Sequence, residues 1–208
     1  QATTTTGWTA NNKKWGAGGL MFDGTNDYVD TGNNFRYADG TISLWLKASQ
    51  SGIYKHIFGQ QGVGGSGTPA LSLYQETDDK LYFWIRNGAS TSYTLGSTNK
   101  ITDGKWHFVT MTWGSSGGKF YIDGILSTST PATIYDDSST YSMVIGATNS
   151  IGTPIYFWPG IIDSARIYSR ALSASEILSN YQAGNIEIQT RTGATSDPND
   201  GTWEAWKP

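Results

Sequence analysis

The feature that most constrains this chain is a series of short, strand-like runs that fills residues 19–168. About a dozen such runs, alternating or apolar in pattern, are separated by turn signals. The clearest hairpin joins 119–122 to 125–128 through Asp123-Gly124, because an Asp-Gly pair supplies the positive φ angles of a type I′ turn. Asn87-Gly88 predicts a second hairpin turn.

Only one segment has a helical pattern, and it follows the strands. Ser173 and Glu176 form a capping box, with Ser173 as the N-cap. Gly184 is the predicted stop, and the short apolar face between these signals consists of Ile177, Leu178 and Tyr181. Many short strands followed by one late helix predict an all-β fold: a two-sheet antiparallel β-sandwich, or jelly roll, with one short C-terminal helix.

Composition narrows the classes of function. The chain has 208 residues, a formal net charge of −3, no cysteine and two histidines. The missing cysteines exclude disulfides, cysteine-ligated zinc, iron–sulfur clusters and thiol catalysis. With 14 basic and 17 acidic residues there is no basic footprint for nucleic acid, and no apolar run approaches the roughly 20 residues of a membrane span. We therefore expect no nucleic-acid partner and no membrane insertion.

Aromatic residues are nearly as common as charged ones, at 13% against 15%. Nine Trp and 12 Tyr are more than one core usually absorbs, so we expect some of these rings on the surface, where rings stack on ligands. Low charge with abundant Thr, Ser, Gly and Asn is typical of a secreted β-protein. A first residue of Gln rather than Met predicts an excised or processed fragment.

Alternation along the predicted strands separates core from surface. In 80–87, Leu81, Phe83 and Ile85 share one face, while Tyr82, Trp84 and Arg86 share the other. The runs 41–48 and 106–113 alternate in the same way. This pattern predicts a core that contains Leu44, Phe83, Val109, Met111 and Ile167. It also predicts a second face that is partly open and lined by rings.

The C-terminal segment has a different character. Residues 186–190 alternate like a new strand, and a polar stretch and a Trp-rich end follow. We interpret 1–184 as one domain, and 185–208 as a linker and the start of a following β-module. The alternative is that this segment closes the first domain with one more strand.

Five motifs, in order, resemble those of one family. They are 19–29 (opening strand), 41–47, 103–109 (a Trp-His strand), 120–124 (a hairpin) and 160–177 (closing strand and helix). Together they make the chain similar to the laminin-G-like, concanavalin A-like jelly-roll domains. The resemblance implies two stacked antiparallel sheets, one of them concave, in a secreted or cell-surface multidomain protein. It also implies ligands that are often glycans and often one structural calcium ion.

Tyr82, Trp84 and Arg86 are the strongest candidates for a ligand site, because sugar C–H faces stack on rings and sugar hydroxyls pair with polar groups. Tyr74 is a predicted neighbour, and Tyr156 and Trp158 lie in a Gly/Pro-bounded segment that could form a rim loop. The alternative is a second packed layer of rings under loops. We favour that alternative for Trp45 and Trp106, and leave it open for Trp84 and Trp158.

Oxygen ligands for calcium cluster in the turn 23–27, where Asp23, Asn26 and Asp27 stand close together. Asp163 lies at the start of the closing strand, where alternation predicts that its side chain points inward. A carboxylate in that position requires a partner. The family resemblance implies that Asp163 lies beside this turn, around the ion. The alternative is turn and capping chemistry without a metal.

Signals for catalysis are weak. Glucanases that resemble this fold carry a Glu-x-Asp-x-x-Glu pattern, but the four glutamates, Glu76, Glu176, Glu187 and Glu204, show no such spacing. The pairs Asp78-Asp79 and Asp136-Asp137 fit solvated turns. The nucleotide-like glycine pattern at 62–67 and the G-x-S-x-G at 114–118 lack the helix that each motif requires.

We therefore predict a non-catalytic, lectin-like module of a larger secreted microbial protein. It would be a monomer that binds a polysaccharide or other glycan on the concave sheet or rim loops, next to other domains of the same polypeptide. The main alternative is a structural or adhesion module that contacts protein. A glycoside hydrolase is the minor alternative.

Overall fold

A computed structural model describes residues 7–35, 37–61, 70–86, 91–133 and 141–184. The Asn87-Gly88 turn, the glycine pattern at 62–67, the Asp136-Asp137 pair and the predicted linker 185–208 lie outside these residues. The strands are β1 (Gly7–Thr9), β2 (Gly19–Asp23), β3 (Val29–Asp30), β4 (Gly40–Ala48), β5 (Lys55–Gln61), β6 (Ala70–Gln75), β7 (Leu81–Arg86), β8 (Ser92–Gly96), β9 (His107–Trp113), β10 (Gly118–Ile122), β11 (Ile125–Thr130), β12 (Val144–Ile145), β13 (Thr148–Ser150), β14 (Thr153–Ile155) and β15 (Pro159–Tyr168). The helix α1 is Ala174–Ala183.

The strands form two sheets, as predicted. The seven-stranded sheet has the order β1-β2-β15-β4-β9-β10-β11 and is antiparallel throughout. The eight-stranded sheet has the order β14-β13-β5-β6-β7-β8, with the short strands β12 and β3 beside β5. Its pairs are antiparallel except for β13 and β5. The predicted all-β sandwich with one late helix is confirmed.

The main core lies between the two sheets. Leu44, Phe83, Val109 and Met111 are buried in it, and Ile167 is half-buried against it. Along β7, buried and half-buried residues alternate without exception. The period-2 pattern of the sequence therefore identified the core correctly, because only one face of β7 faces the opposite sheet.

The hairpin turn and the helix cap that the sequence predicts are also confirmed. Asp123 and Gly124 have φ angles of 53° and 77°, as a type I′ turn requires. Both bonds of the capping box between Ser173 and Glu176 are present. Gly184 ends the helix with a φ of −72°, so it needs no left-handed conformation. A Cβ at Gly184 would lie 2.6 Å from the Trp45 ring, and this close approach is what requires glycine.

The outer face of the seven-stranded sheet differs from the prediction. Trp45, Phe108 and Tyr121 are buried there in a second apolar cluster with Leu172 and Ile177, and the half-buried Trp106 packs against it. The partly open second face predicted for 41–48 and 106–113 is therefore wrong, because helix α1 and its approach cover it. The alternative that we favoured for Trp45 and Trp106, a packed second layer, is correct. Within the described ranges, no helix is long and apolar enough to cross a bilayer.

Candidate functional site

A row of aromatic side chains crosses the outer face of the eight-stranded sheet. The rings stack in the order Tyr156, His56, Tyr74, Tyr82, with centroid separations of 5.4, 5.3 and 5.6 Å. Tyr54 sets its ring against His56, Tyr74 and Tyr156 at 5.3 to 5.4 Å, edge-on or tilted. We call these five residues the tyrosine row.

Strand register brings the row together. His56 on β5 lies opposite Tyr74 on β6, and Tyr74 lies opposite Tyr82 on β7. The pairing of β5 shifts between His56 and Phe58, so that Phe58 faces the core although it lies two residues from an outward-facing His56. Tyr156 joins the row through its carbonyl, which accepts the His56 N–H at 2.9 Å.

His56 is the buried centre of the row, with only 1% of its surface exposed. Its Nδ1 lies 2.6 Å from Ser72 Oγ, and its Nε2 lies 3.1 Å from the Tyr54 hydroxyl. Because the Ser72 hydroxyl donates to the Phe58 carbonyl, Ser72 Oγ is free to accept, and we assign the proton to Nδ1. Nε2 then accepts from Tyr54. Burial lowers the pKa of His56 to about 4, so the ring is neutral at neutral pH.

One end of the row carries acidic side chains. The Tyr82 hydroxyl donates to Asp78 Oδ2 at 3.0 Å, and Glu76 lies at the end of β6, two residues beyond Tyr74. Burial, followed by the neighbouring Tyr54 and Glu76, raises the pKa of Tyr74 to about 12. The pKa of Tyr82 is raised as well, chiefly by its hydrogen bond to Asp78. The phenols are therefore neutral hydrogen-bonding groups under ordinary conditions.

The stacking determines what the row can offer to a ligand. Tyr74 and His56 each have ring neighbours on both faces, so their flat surfaces are already occupied. Tyr54 and Tyr156 are 40% and 46% exposed. The row therefore presents ring edges and phenol hydroxyls, which suit a ligand rich in hydrogen-bonding groups more than a flat aromatic one.

Trp84 and Arg86 share this face of β7 with Tyr82. The register sets Trp84 between Ser72 on β6 and Thr94 on β8, two small polar neighbours. The Arg86 guanidinium lies 5.1 Å from the centre of the Trp84 ring, within cation–π range. Five of the six predicted ligand residues, Tyr74, Tyr82, Trp84, Arg86 and Tyr156, thus lie on one face.

Trp158 is the exception, and its assignment is corrected. Its side chain is fully buried in the core between the sheets, and its Nε1 donates to Gln75 Oε1 at 2.9 Å. The segment that we expected to form a rim loop instead leads directly into β15. A ring in that position is not available to a ligand.

Sequence reasoning missed two members of the row, Tyr54 and His56. His56 lies on β5, where the shift in register after His56 breaks the simple alternation that assigns faces. Tyr54 precedes β5, so strand alternation could not assign it to either face of the sheet. The only sequence signal that could have placed His56 on the outer face was a histidine followed by two apolar residues.

The predicted calcium ligands do not all meet. Asp23, Asn26 and Asp27 share one turn, where Asp27 Oδ2 accepts the Asp23 N–H at 3.1 Å and Asp23 Oδ1 accepts the Thr25 N–H at 2.7 Å. Asp27 is 3% exposed, and its Oδ1 has no hydrogen-bond donor among the described residues. A buried carboxylate oxygen of this kind fits a cation or a water.

Asp163 lies elsewhere, which corrects its assignment as a ligand. Asp23 pairs with Pro159 on β15, and Asp163 lies four residues further on, about 13 Å along the strand. Asp163 Oδ2 instead accepts the backbone N–H groups of Lys14 and Trp15 at 2.8 and 2.9 Å. In the part of the chain that the structure describes, no three acidic or histidine side chains are grouped to hold a metal. The complete ligand set therefore does not fit, and the turn with Asp27 is the part that does.

Comparison with known structures bears on the fold. The carbohydrate-binding module CBM40 of the Ruminococcus gnavus IT-sialidase superposes with a TM-score of 0.65 and 18% identity, over 78% of this chain and 96% of that one. A heptameric SAP-like pentraxin from Limulus polyphemus gives 0.60 and 17%, over 77% and 80%. The receptor-binding domain of botulinum neurotoxin D gives 0.61 and 19%, over 88% of this chain and 47% of that one. These similarities establish a shared jelly-roll fold.

Among curated proteins, none matches the sequence significantly. The family model of a laminin-G-type domain, described as the concanavalin A-like lectin/glucanases superfamily, matches residues 23–178. This span contains β3 to β15 and the first half of the helix. The chain therefore belongs to the concanavalin A-like lectin/glucanase superfamily.

Proposed function

We propose that this protein is a non-catalytic glycan-binding module whose binding face is the tyrosine row together with Trp84 and Arg86. The observation that carries the proposal is a connected set of rings with phenol hydroxyls on the outer face of the eight-stranded sheet, with Tyr54 and Tyr156 exposed. The only helix of the described residues lies on the opposite sheet.

The chemistry of the face suits a sugar. Phenol hydroxyls both donate and accept, and the carboxylates of Glu76 and Asp78 accept, so adjacent sugar hydroxyls find complementary partners. The Trp84 ring and the exposed edges of Tyr54 and Tyr156 provide apolar surface for sugar C–H groups. Single-site affinity of this kind is weak, and several copies or neighbouring modules would raise it.

The structural neighbours support glycan binding. The CBM40 module was solved with α2,3- and α2,6-sialyllactose, and the botulinum domain is a receptor-binding domain. At their level of identity these neighbours share the fold alone, so they support the class of ligand and not a particular sugar.

The placement of the carboxylates supports a role without catalysis. Glu176 is held by the helix cap and by Arg170, and Glu76 Oε1 accepts from the backbone and side chain of Thr77. Asp78 accepts from the Lys80 N–H and the Tyr82 hydroxyl. These carboxylates are committed to caps, turns and the row, an arrangement unlike a pair of acids that flanks a scissile bond.

One observation favours the alternative of a structural or adhesion module. Rings that stack face to face across strands also stabilise a sheet without any ligand. In that case the row would serve stability alone, and the face would contact protein or nothing.

The test is a glycan array probed with the wild type, Trp84→Ala and the control Trp8→Ala. Trp8 is an exposed tryptophan on β1, in the other sheet. We expect Trp84→Ala to weaken binding by about fivefold to 150-fold, by analogy with the 1–3 kcal/mol of a stacked base. Trp8→Ala should bind like the wild type. A wild type that retains no glycan would favour the structural module.

The proposal includes a setting and an ion. Low charge and the family resemblance support an extracellular module joined to other domains of a larger microbial protein. The buried Oδ1 of Asp27 supports a structural calcium at the turn 23–27, with Asp23 and backbone oxygens as further ligands.

A further inference from the structure

The charge at one end of the tyrosine row limits which glycans it can accept. We infer that the row selects uncharged glycans and rejects anionic ones, such as sialylated, uronic or sulfated chains. This inference rests on the proposed function and adds the class of ligand.

The charges that act on the row are negative. Burial raises the pKa of Tyr54, and Tyr156 and Glu76 raise it further. Glu76 and Asp78 act in the same direction on Tyr74 and Tyr82. A field that opposes a phenolate at three neighbouring positions also opposes a ligand carboxylate placed against the same hydroxyls.

The basic groups of this face are placed differently. Lys80 precedes Tyr82 by two residues, and its carbonyl accepts the Glu76 N–H. Arg86 lies four residues beyond Tyr82 along β7, with about 13 Å between their Cα atoms, and its guanidinium lies over Trp84. Along β7, Tyr82 with its bonded Asp78 is therefore at one end of the face, and Arg86 is at the other end.

Hydrogen-bond complementarity leads to the same conclusion. A carboxylate only accepts, so Glu76 and Asp78 need donors from the ligand, and Asp78 already takes one from Tyr82. The hydroxyls of a neutral sugar donate. A sugar carboxylate or sulfate brings only acceptor oxygens, which cannot hydrogen-bond to the carboxylates of Glu76 and Asp78. Its negative charge also repels theirs.

The inference separates this chain from a neighbour with the same fold. The CBM40 module was solved with sialyllactose, whose sialic acid carries a carboxylate. We expect this chain to differ from it in the charge of its ligand, because the charge of a site depends on side chains that the fold does not specify.

The experiment begins with the glycan array and then uses a matched pair of probes. The neutral glycan that binds best is compared with its C6-oxidised derivative, which has the same backbone with carboxylates added. Titration calorimetry in low salt should show the oxidised form binding at least about fivefold more weakly, the effect of one unit charge at close range near a surface.

The gap is the difference in affinity between the neutral glycan and its oxidised form. The double variant Glu76→Gln/Asp78→Asn should narrow this gap to within about twofold, because amides remove the repulsion and keep the size and shape of the side chains. Asp39→Asn, a charge removal on the other sheet, is the matched control and should leave the gap unchanged; thermal melts confirm that each variant is folded. Preferred binding of anionic glycans, or a gap unchanged in the double variant, would overturn the inference. If no glycan binds at all, the proposed function fails and the inference fails with it.

Discussion

Both outer faces of the sandwich carry aromatic residues, but among the described residues a helix covers only one of them. On the seven-stranded sheet Trp45 packs at a tilt against Phe108 at 5.2 Å and stacks on Tyr181 of helix α1 at 5.7 Å, and it is only 3% exposed. In the part of the chain that the structure describes, no helix packs against the tyrosine row on the eight-stranded sheet, and its rings stack on one another. Side chains of similar chemistry thus contribute to stability on one face and remain accessible on the other.

The comparison teaches that aromatic content alone does not mark a binding face. What distinguishes the two faces is the chain that returns over one of them after β15. That segment ends in a capped helix, and its buried Ile177 closes the second cluster. The face over which the described residues place no returning element is the one to examine for a ligand.

The largest expected effect contrasts two tryptophans, one on each face. Trp45→Ala should lower the free energy of unfolding by about 3–5 kcal/mol, because it opens a cavity beneath the helix. Trp84→Ala should cost less than about 2 kcal/mol, since its ring is half-buried and its main ring partner is Arg86. Urea denaturation with unchanged m-values measures both. Equal losses would mean that the row face is covered as well.

The next prediction uses the histidine at the centre of the open face. His56 is buried and neutral, with a pKa lowered from 6.5 to about 4 by burial. The unfolded chain therefore binds a proton that the folded chain does not, and stability falls as the pH drops from 6.5 towards 4. The loss approaches about 3 kcal/mol at its limit.

The test compares urea unfolding at pH 7 and pH 4.5 for the wild type and His56→Phe, which keeps a ring in the stack. Tyr54, Tyr74 and Ser72 contact this position, and the raised pKa values of the two phenols keep them neutral in that range. The variant should lose less stability on acidification than the wild type. The same pH dependence in both proteins would show that His56 is charged in the fold or exposed.

A calcium prediction concerns the turn 23–27, which connects β2 of one sheet to β3 of the other. At a hundredfold excess over its Kd, a bound ion stabilises by about 2.7 kcal/mol, or roughly 5–10 °C in Tm. EDTA should lower the Tm of the wild type by that amount and have no effect on Asp27→Asn.

Asp163→Asn is the matched control, because it removes the same charge from the other predicted ligand. Its Tm is measured with and without EDTA, and the difference should equal that of the wild type, since Asp163 accepts hydrogen bonds from the backbone of Lys14 and Trp15. A wild-type melt that ignores EDTA would count against the ion. Loss of the EDTA effect in Asp163→Asn alone would restore the original ligand assignment.

Period-2 alternation and local capping signals were sufficient to predict much of this fold. Phe83 and Trp84 were assigned to opposite faces correctly, because β7 is regular and only one of its faces meets the core. Ser173 and Glu176 were sufficient to begin the helix, since a capping box depends only on residues within one turn.

The errors share a physical cause, which is that they depend on pairing between distant segments. The outer face of 41–48 and 106–113 was expected to be partly open, but it is covered by a helix more than a hundred residues away from Trp45. Asp163 misses the turn at Asp23 by four positions of register, which no local pattern encodes. His56 lies beside a bulge, and a single extra residue reverses the face that alternation assigns.

The smallest expected effect concerns the second histidine, at the end of β9 in the seven-stranded sheet. His107 Nδ1 lies 2.8 Å from Asp123 Oδ2, and its Nε2 lies 3.0 Å from Asp103 Oδ1. Two carboxylates favour a proton on both nitrogens, and the pKa of His107 is raised, chiefly by the hydrogen bond to Asp123. This contribution to stability has the opposite sign to that of His56. It is fully present below the unfolded pKa of about 6.5 and is lost as the pH rises through the folded pKa.

His107→Gln should therefore destabilise the protein by about 1–2 kcal/mol at pH 5.5, where the wild-type imidazolium bonds to both carboxylates. The cost should be smaller at pH 9, where the wild-type ring is neutral. Because His56 titrates in both proteins, the difference between wild type and variant at each pH isolates His107. A cost that grows with pH would mean that His107 is neutral in the fold. The two histidines would then no longer have opposite effects on the pH dependence of stability.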